Sequence, residues 1–480
     1  MRRQIFFLGG LITSFLLVWP TLSSYFAQDD FFHFRLAQEH SLLSLFQLPE
    51  GYWFYRPIAR ELYNWLTFNL FGLTPLPYHL LIYALYLLNA GLAALIIKYI
   101  TKKTQTAGLM FLLITSSGVI NVDSYYLASN EILMSSIFML TALYFYLRFT
   151  DKKTWKLYAA GLVFYLAALF CQEVALVFPL ILLAIELYAT KPLDFRALAC
   201  RLSPFAILAA FLVIIDVWVI GLPPDQQYRT VFTPKTFLNS IFWYSLWGMG
   251  ISEILVDFVK DFKFSPDFLI WYANYLKIAM GMLVIFMAIL VSLFLHDIKK
   301  LPYRLMILLM ALYVISLLPF LLLPDHKQSY YLSFGQIWLY GLFAIIFSQA
   351  LASPRMRVTI VIGLAAFFLT NFATSRLNDK TYWAAKRAKA AQALLENIQK
   401  QYPQVAASST FYFISNKSYP DFAQSWGSSS QQAALILSGA DALKVVYNDR
   451  SISALFDNAG SLPRSIDHDK VLTVEAVFPY

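Results

Sequence analysis

Long apolar runs of roughly 17 to 28 residues recur along this chain, broken by short polar stretches. Each is long enough to cross about 30 Å of hydrocarbon as a helix. They fall near 4–22, 77–99, 107–122, 130–149, 155–171, 173–189, 202–221, 268–295, 303–323, 330–351 and 357–375, which predicts about eleven transmembrane helices. The apolar runs stop at residue 375. Beyond it, 381–401 has a helical period, with Trp383, Leu394, Leu395 and Ile398 on one face, and 411–414, 443–447 and 471–478 read as strands.

Composition agrees with the pattern, since 59% of the 480 residues are hydrophobic and 14% are charged. A soluble domain of that size could not hide so much apolar surface. The chain therefore reads as an α-helical polytopic membrane protein, residues 1–375, followed by a small α/β C-terminal domain, residues 376–480. Basic residues mark the cytoplasmic ends of spans. Arg2, Arg3, Lys102, Lys103, Arg148, Lys152, Lys153, Lys156, Lys191, Arg196, Arg201, Lys299, Lys300, Arg304, Arg355 and Arg357 all fall in alternate loops, which puts the N-terminus inside and the C-terminal domain in the extracytoplasmic space. The two long outer loops are then 23–76 and 222–267. The apolar segment 237–256, with Trp243, Tyr244, Trp247 and Glu253, would place Lys299, Lys300 and Arg304 outside if it crossed. It reads as a re-entrant or interfacial helix on the outer face.

The net charge of +9 has the same origin, and the scattered basic residues form no nucleic-acid-binding stripe. Membrane lipid is the expected partner of these cytoplasmic loops. Cys171 and Cys200 fall at opposite ends of the spans, which excludes a disulfide or a shared metal between them. The first apolar run reaches Leu22 with no clear small-x-small cleavage site, so it reads as an uncleaved first span.

Chemistry concentrates in the first outer loop. Asp29 and Asp30 stand just beyond the first span, followed by Phe31-Phe32-His33-Phe34-Arg35 and an amphipathic stretch to Phe46. Carboxylates beside lipid need a cation, a metal, a proton or a polar substrate. Asp29, Asp30 and His33 are close enough in sequence to share a divalent metal, although no diagnostic spacing is present. The loop continues through Tyr52-Trp53-Phe54-Tyr55-Arg56-Pro57, whose aromatic density predicts two short helices lying flat on the outer leaflet. A helix starting at Pro57 would put Arg56 and Arg60 on one face near its N-terminus, suited to a phosphate at headgroup level. The same residues have plainer roles: the acidic pair can cap a helix, Arg56 can snorkel to headgroups, and Asp123 and Glu131 can belong to a solvated loop.

Tyr55-Arg56-Pro57-Ile58, Asn69-Leu70-Phe71-Gly72-Leu73 and Pro77-Tyr78-His79-Leu80 resemble the membrane-embedded GT-C glycosyltransferases, most nearly the protein O-mannosyltransferase and TMTC branch. Val122-Asp123-Ser124-Tyr125 with Ser129-Asn130-Glu131-Ile132-Leu133, Cys171-Gln172-Glu173-Val174-Ala175-Leu176, and the segment 326–335 with Tyr330-Tyr331-Leu332 add to the likeness, which covers about residues 1–350. The chain departs from the family's pattern at Gln172, where the family has Lys, at Ser333, where it has Pro, and in lacking the His-Pro that often precedes the second loop's acidic residue.

The resemblance implies a GT-C fold and transfer of a sugar, mannose among the candidates, from a polyprenyl-phosphate donor to a protein, glycan or lipid acceptor on the outer face. It implies Asp30 or Asp29 as general base, with Asp30 slightly preferred, and Arg56 on the donor phosphate. Arg60, His326 and Lys327 follow as further phosphate or sugar contacts. Asp123, Glu131, Glu173 and Tyr55 follow as substrate contacts. Two other classes remain open on the sequence: a transporter or flippase for lipid-linked substrates, which would usually show broken mid-membrane helices in related halves, and a non-catalytic membrane assembly protein.

Overall fold

The computed structural model describes residues 4–189, 194–260, 263–416, 418, 427–457 and 468–479. Arg2, Arg3 and Lys191 lie outside the described residues. The chain begins with α1 (Gln4–Val18), then α2 (Asp29–Glu39), α3 (Tyr63–Phe71), α4 (Pro75–Thr101), α5 (Thr104–Thr115), α6 (Val119–Tyr125), α7 (Asn130–Lys152), α8 (Trp155–Leu169), α9 (Phe178–Ala189) and α10 (Phe195–Ile214). It continues with α11 (Pro234–Gly248), α12 (Leu255–Phe258), a two-residue antiparallel pair β1 (Val259–Lys260) and β2 (Lys263–Phe264), α13 (Pro266–His296), α14 (Tyr303–Leu321), α15 (Leu332–Ala350) and α16 (Arg357–Thr381). Proline in the first turn starts α4, α11 and α13, where its missing N–H has no intrahelical partner to lose.

Among the described residues, eight helical segments are long and apolar enough to cross a membrane, and nine if the pair α5 and α6, bent by 47°, counts as one. The other two expected spans hold shorter helices, α8 with 15 residues and α9 with 12, the latter preceded by a 3-10 turn at Glu173–Val177. α15 sits at the centre, with Trp338 and Tyr340 fully enclosed. α10 lies at the periphery and exposes Ile207, Phe211 and, in the π-helical turn that follows it, Trp218. Such an apolar outer surface suits a lipid environment.

The segment 237–256 forms most of α11 and the turn after it, with Trp243, Tyr244 and Trp247 buried against α14 and α15. Its aromatic residues therefore serve the packed interior rather than an exposed interfacial face. The break between α5 and α6 frees the Gly118 N–H, which donates to Asn371 Oδ1 of α16 at 2.6 Å. Gly250, in the turn after α11, has φ +97°, and a Cβ there would stand within 2.8 Å of the Asn371 side chain. Asn378, two turns further along α16, takes a hydrogen bond from Ser252 Oγ at 2.9 Å and donates to Asn121 Oδ1 at 3.2 Å. One polar stripe on α16 thus holds both irregular segments that lead toward the loops.

The region expected to form the C-terminal domain follows directly on α16. It comprises α17 (Trp383–Gln401), β3 (Thr410–Ser415), α18 (Ser429–Ile436), α19 (Asp441–Tyr447), β4 (Ser453–Phe456) and β5 (Val471–Ala476). The strands pair in parallel in the order β4-β3-β5. Ser428 and Gln431 form a reciprocal capping box at the start of α18. The strand expected at 443–447 is a helix: Ala442, Leu443 and Val445 pack inward from α19 onto α2, and that tertiary contact overrides the strand preference of the paired valines. The neighbouring strand is β4, which the alternation did not reveal.

The expectation of flat surface helices in the first loop is also corrected. α2 is buried on one side by α3 and Tyr78 and on the other by α19, with Phe31 and Phe34 wholly enclosed. Arg35 of α2 pairs with Asp441 of α19 at 2.7 Å.

Replacing Asn371 with Ala leaves the buried Gly118 N–H without an acceptor, a loss of about 1–3 kcal/mol. The expected result is a lower midpoint in detergent thermal unfolding. An unchanged midpoint would show that the α5–α6 break does not depend on this contact.

Candidate functional site

The ends of α1, α6, α8, α10, α14 and α16 meet at one end of the bundle, and the first loop folds across them. Between these segments lies a cavity of about 630 Å³. Its walls come from Gln28, Asp29, Phe32 and His33, from Tyr52, Trp53, Phe54, Arg56 and Arg60, from Tyr126, Ser129 and Glu131, from Gln172, from Tyr228, from His326, Gln328, Tyr330 and Tyr331, and from Trp383 and Arg387 of α17.

Arg56 precedes Pro57 and is held out of helical geometry, as a residue before proline must be, with φ −128° and ψ 58°. Its Nε and Nη2 donate to Glu173 Oε1 and Oε2 at 2.8 and 2.6 Å, a two-pronged guanidinium–carboxylate pair. Its Nη1 donates to Glu131. The Phe54 ring lies under the guanidinium, 4.7 Å away. Arg60 belongs to the π-helical turn Pro57–Leu62 and acts on its own loop: it donates to Glu61 Oε1 at 3.0 Å and to the carbonyls of Trp53 and Phe54 at 2.8 and 2.6 Å. The two arginines do not share a helix face. Arg56 ties the loop to the helix bundle, and Arg60 ties the loop to itself.

Asp29 and Asp30 open α2 and point to different places. Asp29 lines the cavity and accepts from the Tyr126 hydroxyl. Asp30 turns away, is 4% exposed, and its Oδ2 accepts from the Ala27 N–H at 3.0 Å. Burial pushes the Asp30 carboxyl up to about 8 against the opposing Ala27 N–H, and the charge of Asp29 adds to the rise. His33 Nε2 lies 3.8 Å from Glu131 Oε1. Burial, with the charges of Arg60 and Arg56, pulls the imidazole down to about 3, so it is neutral near pH 7. His326 also lines the cavity, with its ring 4.8 Å from that of Tyr228, and burial lowers its pKa too, with Asp225 opposing and Arg56 adding to the fall.

The cavity therefore brings together Asp29, His33, Arg56, Arg60, Glu131 and His326, with Glu173 attached through Arg56. Four other expected residues stand apart. Asp30 is buried beneath the wall. Asp123 is fully buried and accepts from Ser333 Oγ of α15 at 2.7 Å. Tyr55 donates its N–H to Asp216 at 2.9 Å and its hydroxyl to the Phe46 carbonyl at 2.7 Å. Lys327 donates to Asn239 at 3.3 Å. The three residues that the sequence left open as metal ligands do not converge. Among the described residues no three His, Cys, Asp or Glu side chains converge, because Asp29, Asp30 and His33 turn to Tyr126, Ala27 and Glu131 respectively.

Sequence reasoning missed Gln28, Tyr126, Tyr228, Trp383 and Arg387. The cation of Arg387 lies 5.0 Å from the Trp383 ring centroid, and its Nη1 donates to Gln28 Oε1. An Arg four residues after a Trp, on the amphipathic helix that follows the last span, was the available signal.

No protein-family model and no curated protein matches this chain. Among solved structures the chain is similar to ArnT from Cupriavidus metallidurans bound to undecaprenyl phosphate, with a TM-score of 0.48 and 12% identity, over 94% of this chain and 85% of that one.

Asp30→Asn should keep the contact with the Ala27 N–H and leave activity within about threefold of wild type. Because its folded pKa is raised, Asp30 contributes stability that is fully present below about pH 4 and is lost as pH rises through about 8. Thermal unfolding at pH 5 and pH 8.5 should show a smaller difference in the variant than in wild type. A large loss of activity in Asp30→Asn would return Asp30 to the reacting centre.

Proposed function

We propose that this chain is an integral membrane glycosyltransferase of the GT-C type that moves a sugar from a polyprenyl-phosphate donor to an acceptor at the extracytoplasmic surface. The observation that carries the proposal is the placement of Asp29. Of the two acidic side chains lining the cavity, Glu131 is paired with Arg56, whereas Asp29 has no ion pair among the described residues. It is free to take a proton.

The side of the membrane follows from charge. The helix ends opposite the cavity carry Lys102, Lys103, Lys152, Lys153, Lys299, Lys300, Arg355 and Arg357, the bias retained in the cytoplasm. A lipid-linked donor would bring its phosphate to the headgroup level of the other leaflet. Arg56 would meet it there: three of its five N–H groups are committed to Glu173 and Glu131, which orient the guanidinium, and two remain for phosphate oxygens. Arg60 and His326 would complete that wall.

The chemistry is a single displacement. The acceptor hydroxyl gives its proton to an Asp29 oxygen as its own oxygen bonds the anomeric carbon. The bond from that carbon to the phosphate oxygen breaks, and the lipid phosphate leaves with the electron pair, stabilised by the arginines. Attack opposite the leaving group inverts the anomeric configuration. The aromatic walls of Tyr126, Tyr228, Tyr330 and Tyr331 suit a sugar ring between base and phosphate. Mannose and a protein, glycan or lipid acceptor remain the specific candidates that the resemblance brings.

A panel of radiolabelled polyprenyl-phosphate sugars presented to the purified protein in lipid nanodiscs tests this reading. Wild type should release or transfer label from at least one donor, and Asp29→Asn should lose at least about a hundredfold in rate. No turnover with any donor, or full activity in Asp29→Asn, would overturn it.

A further inference from the structure

Asp29 is supported from behind by two groups, and both lead to the same helix of the C-terminal domain. Gln28, the residue before it, has φ 54° and ψ −115°, a backbone conformation that residues with a side chain rarely adopt. Two contacts from the C-terminal domain hold it there. Its N–H donates to the Ile436 carbonyl of α18 at 2.8 Å, and its side-chain oxygen accepts from Arg387 of α17. The second support is Tyr126, whose hydroxyl donates to Asp29 and whose ring packs 5.0 Å from that of Trp383, also on α17. Trp383 and Arg387 are four residues apart, and the guanidinium lies over the indole, so the two routes are joined.

We infer that α17 is the positioning element of the reacting carboxylate, with Arg387 as the positioning residue that acts on Asp29 through Gln28. The C-terminal domain is then a working part of the site, and the Arg35–Asp441 pair between α2 and α19 holds the same two bodies together nearly two helical turns further on. Among the described residues Arg387 has no carboxylate within ion-pair distance; its hydrogen bond to Gln28 and its contact with Trp383 fix it, and Asp29 attracts it from further away. A carboxylate that must meet an acceptor hydroxyl at hydrogen-bond distance loses rate when it shifts by even 1 Å, whereas donor binding at the Arg56 wall does not depend on that position.

The inference rests on the proposed role of Asp29 as base. It is tested by steady-state kinetics of the full chain in nanodiscs with a polyprenyl-phosphate sugar as donor. Arg387→Gln should lower kcat by tenfold or more, with the donor KM within about twofold of wild type. Arg387→Lys, which keeps a donor to Gln28, should recover part of that loss. Gln28→Ala should reproduce the Arg387→Gln defect, and it serves as the test if Arg387→Gln does not fold. In an Asp29→Asn background neither change should reduce the residual rate further. Wild-type kcat in Arg387→Gln, or a further loss of the same size in the Asp29→Asn background, would overturn the inference while leaving the function intact. No sugar transfer by the wild-type chain would overturn the function itself.

Discussion

Arg56 cannot be buried alone. A guanidinium at the end of a membrane helix bundle is costly to desolvate, and it is tolerated because Glu131 of α7 and Glu173 before α9 accept its hydrogen bonds. The three side chains join the first loop to two separate parts of the bundle. A third carboxylate works beside them: Asp216, in the π-helical turn after α10, accepts the N–H of Tyr55 and fixes the residue before Arg56. An acid inside an apolar helix is thereby explained without a transport role. With Arg56 placed, Arg60 closes the loop onto the carbonyls of Trp53 and Phe54, and Glu61 accepts from both Arg60 and Tyr52.

The cavity exists because that loop is pinned on one side and α2 is clamped on the other. Its walls come from residues as far apart in sequence as Gln28 and Arg387, and several are set in part by interactions outside the cavity. Asn371 and Gly250 fix the turns that precede Tyr126 and follow α11, the Glu253 carboxylate accepts the Ser329 N–H where the chain enters Tyr330 and Tyr331, and the C-terminal domain fixes Gln28. The polar chemistry is held by buried contacts rather than by exposed salt bridges, which contribute little.

The membrane class and most of the long apolar helices were legible in the sequence because burial in lipid leaves long apolar runs that no packing detail can disguise. The first-loop acids and Arg56 were legible because charge at such a place needs a reason. The choice between Asp29 and Asp30 was not: adjacent residues at a helix start point in different directions, and only Tyr126 and the Ala27 N–H decide which carboxylate faces the cavity. Arg387 was hidden for a related reason, since its role comes from the docking of α17 over a loop more than 300 residues earlier. The helix at Asp441–Tyr447 was misread as a strand because its two valines carry a local preference that contact with α2 overrides.

The central claim is that one cavity holds the donor phosphate beside Arg56 and presents the sugar to Asp29. The most direct test is a single-particle structure of the full chain in nanodiscs with polyprenyl phosphate bound. The phosphate should lie within hydrogen-bond distance of the Arg56 guanidinium, about 3 Å, with the Asp29 carboxylate facing it across a space that fits a sugar ring. A lipid phosphate bound outside this cavity, or against Asp29 itself, would contradict the claim.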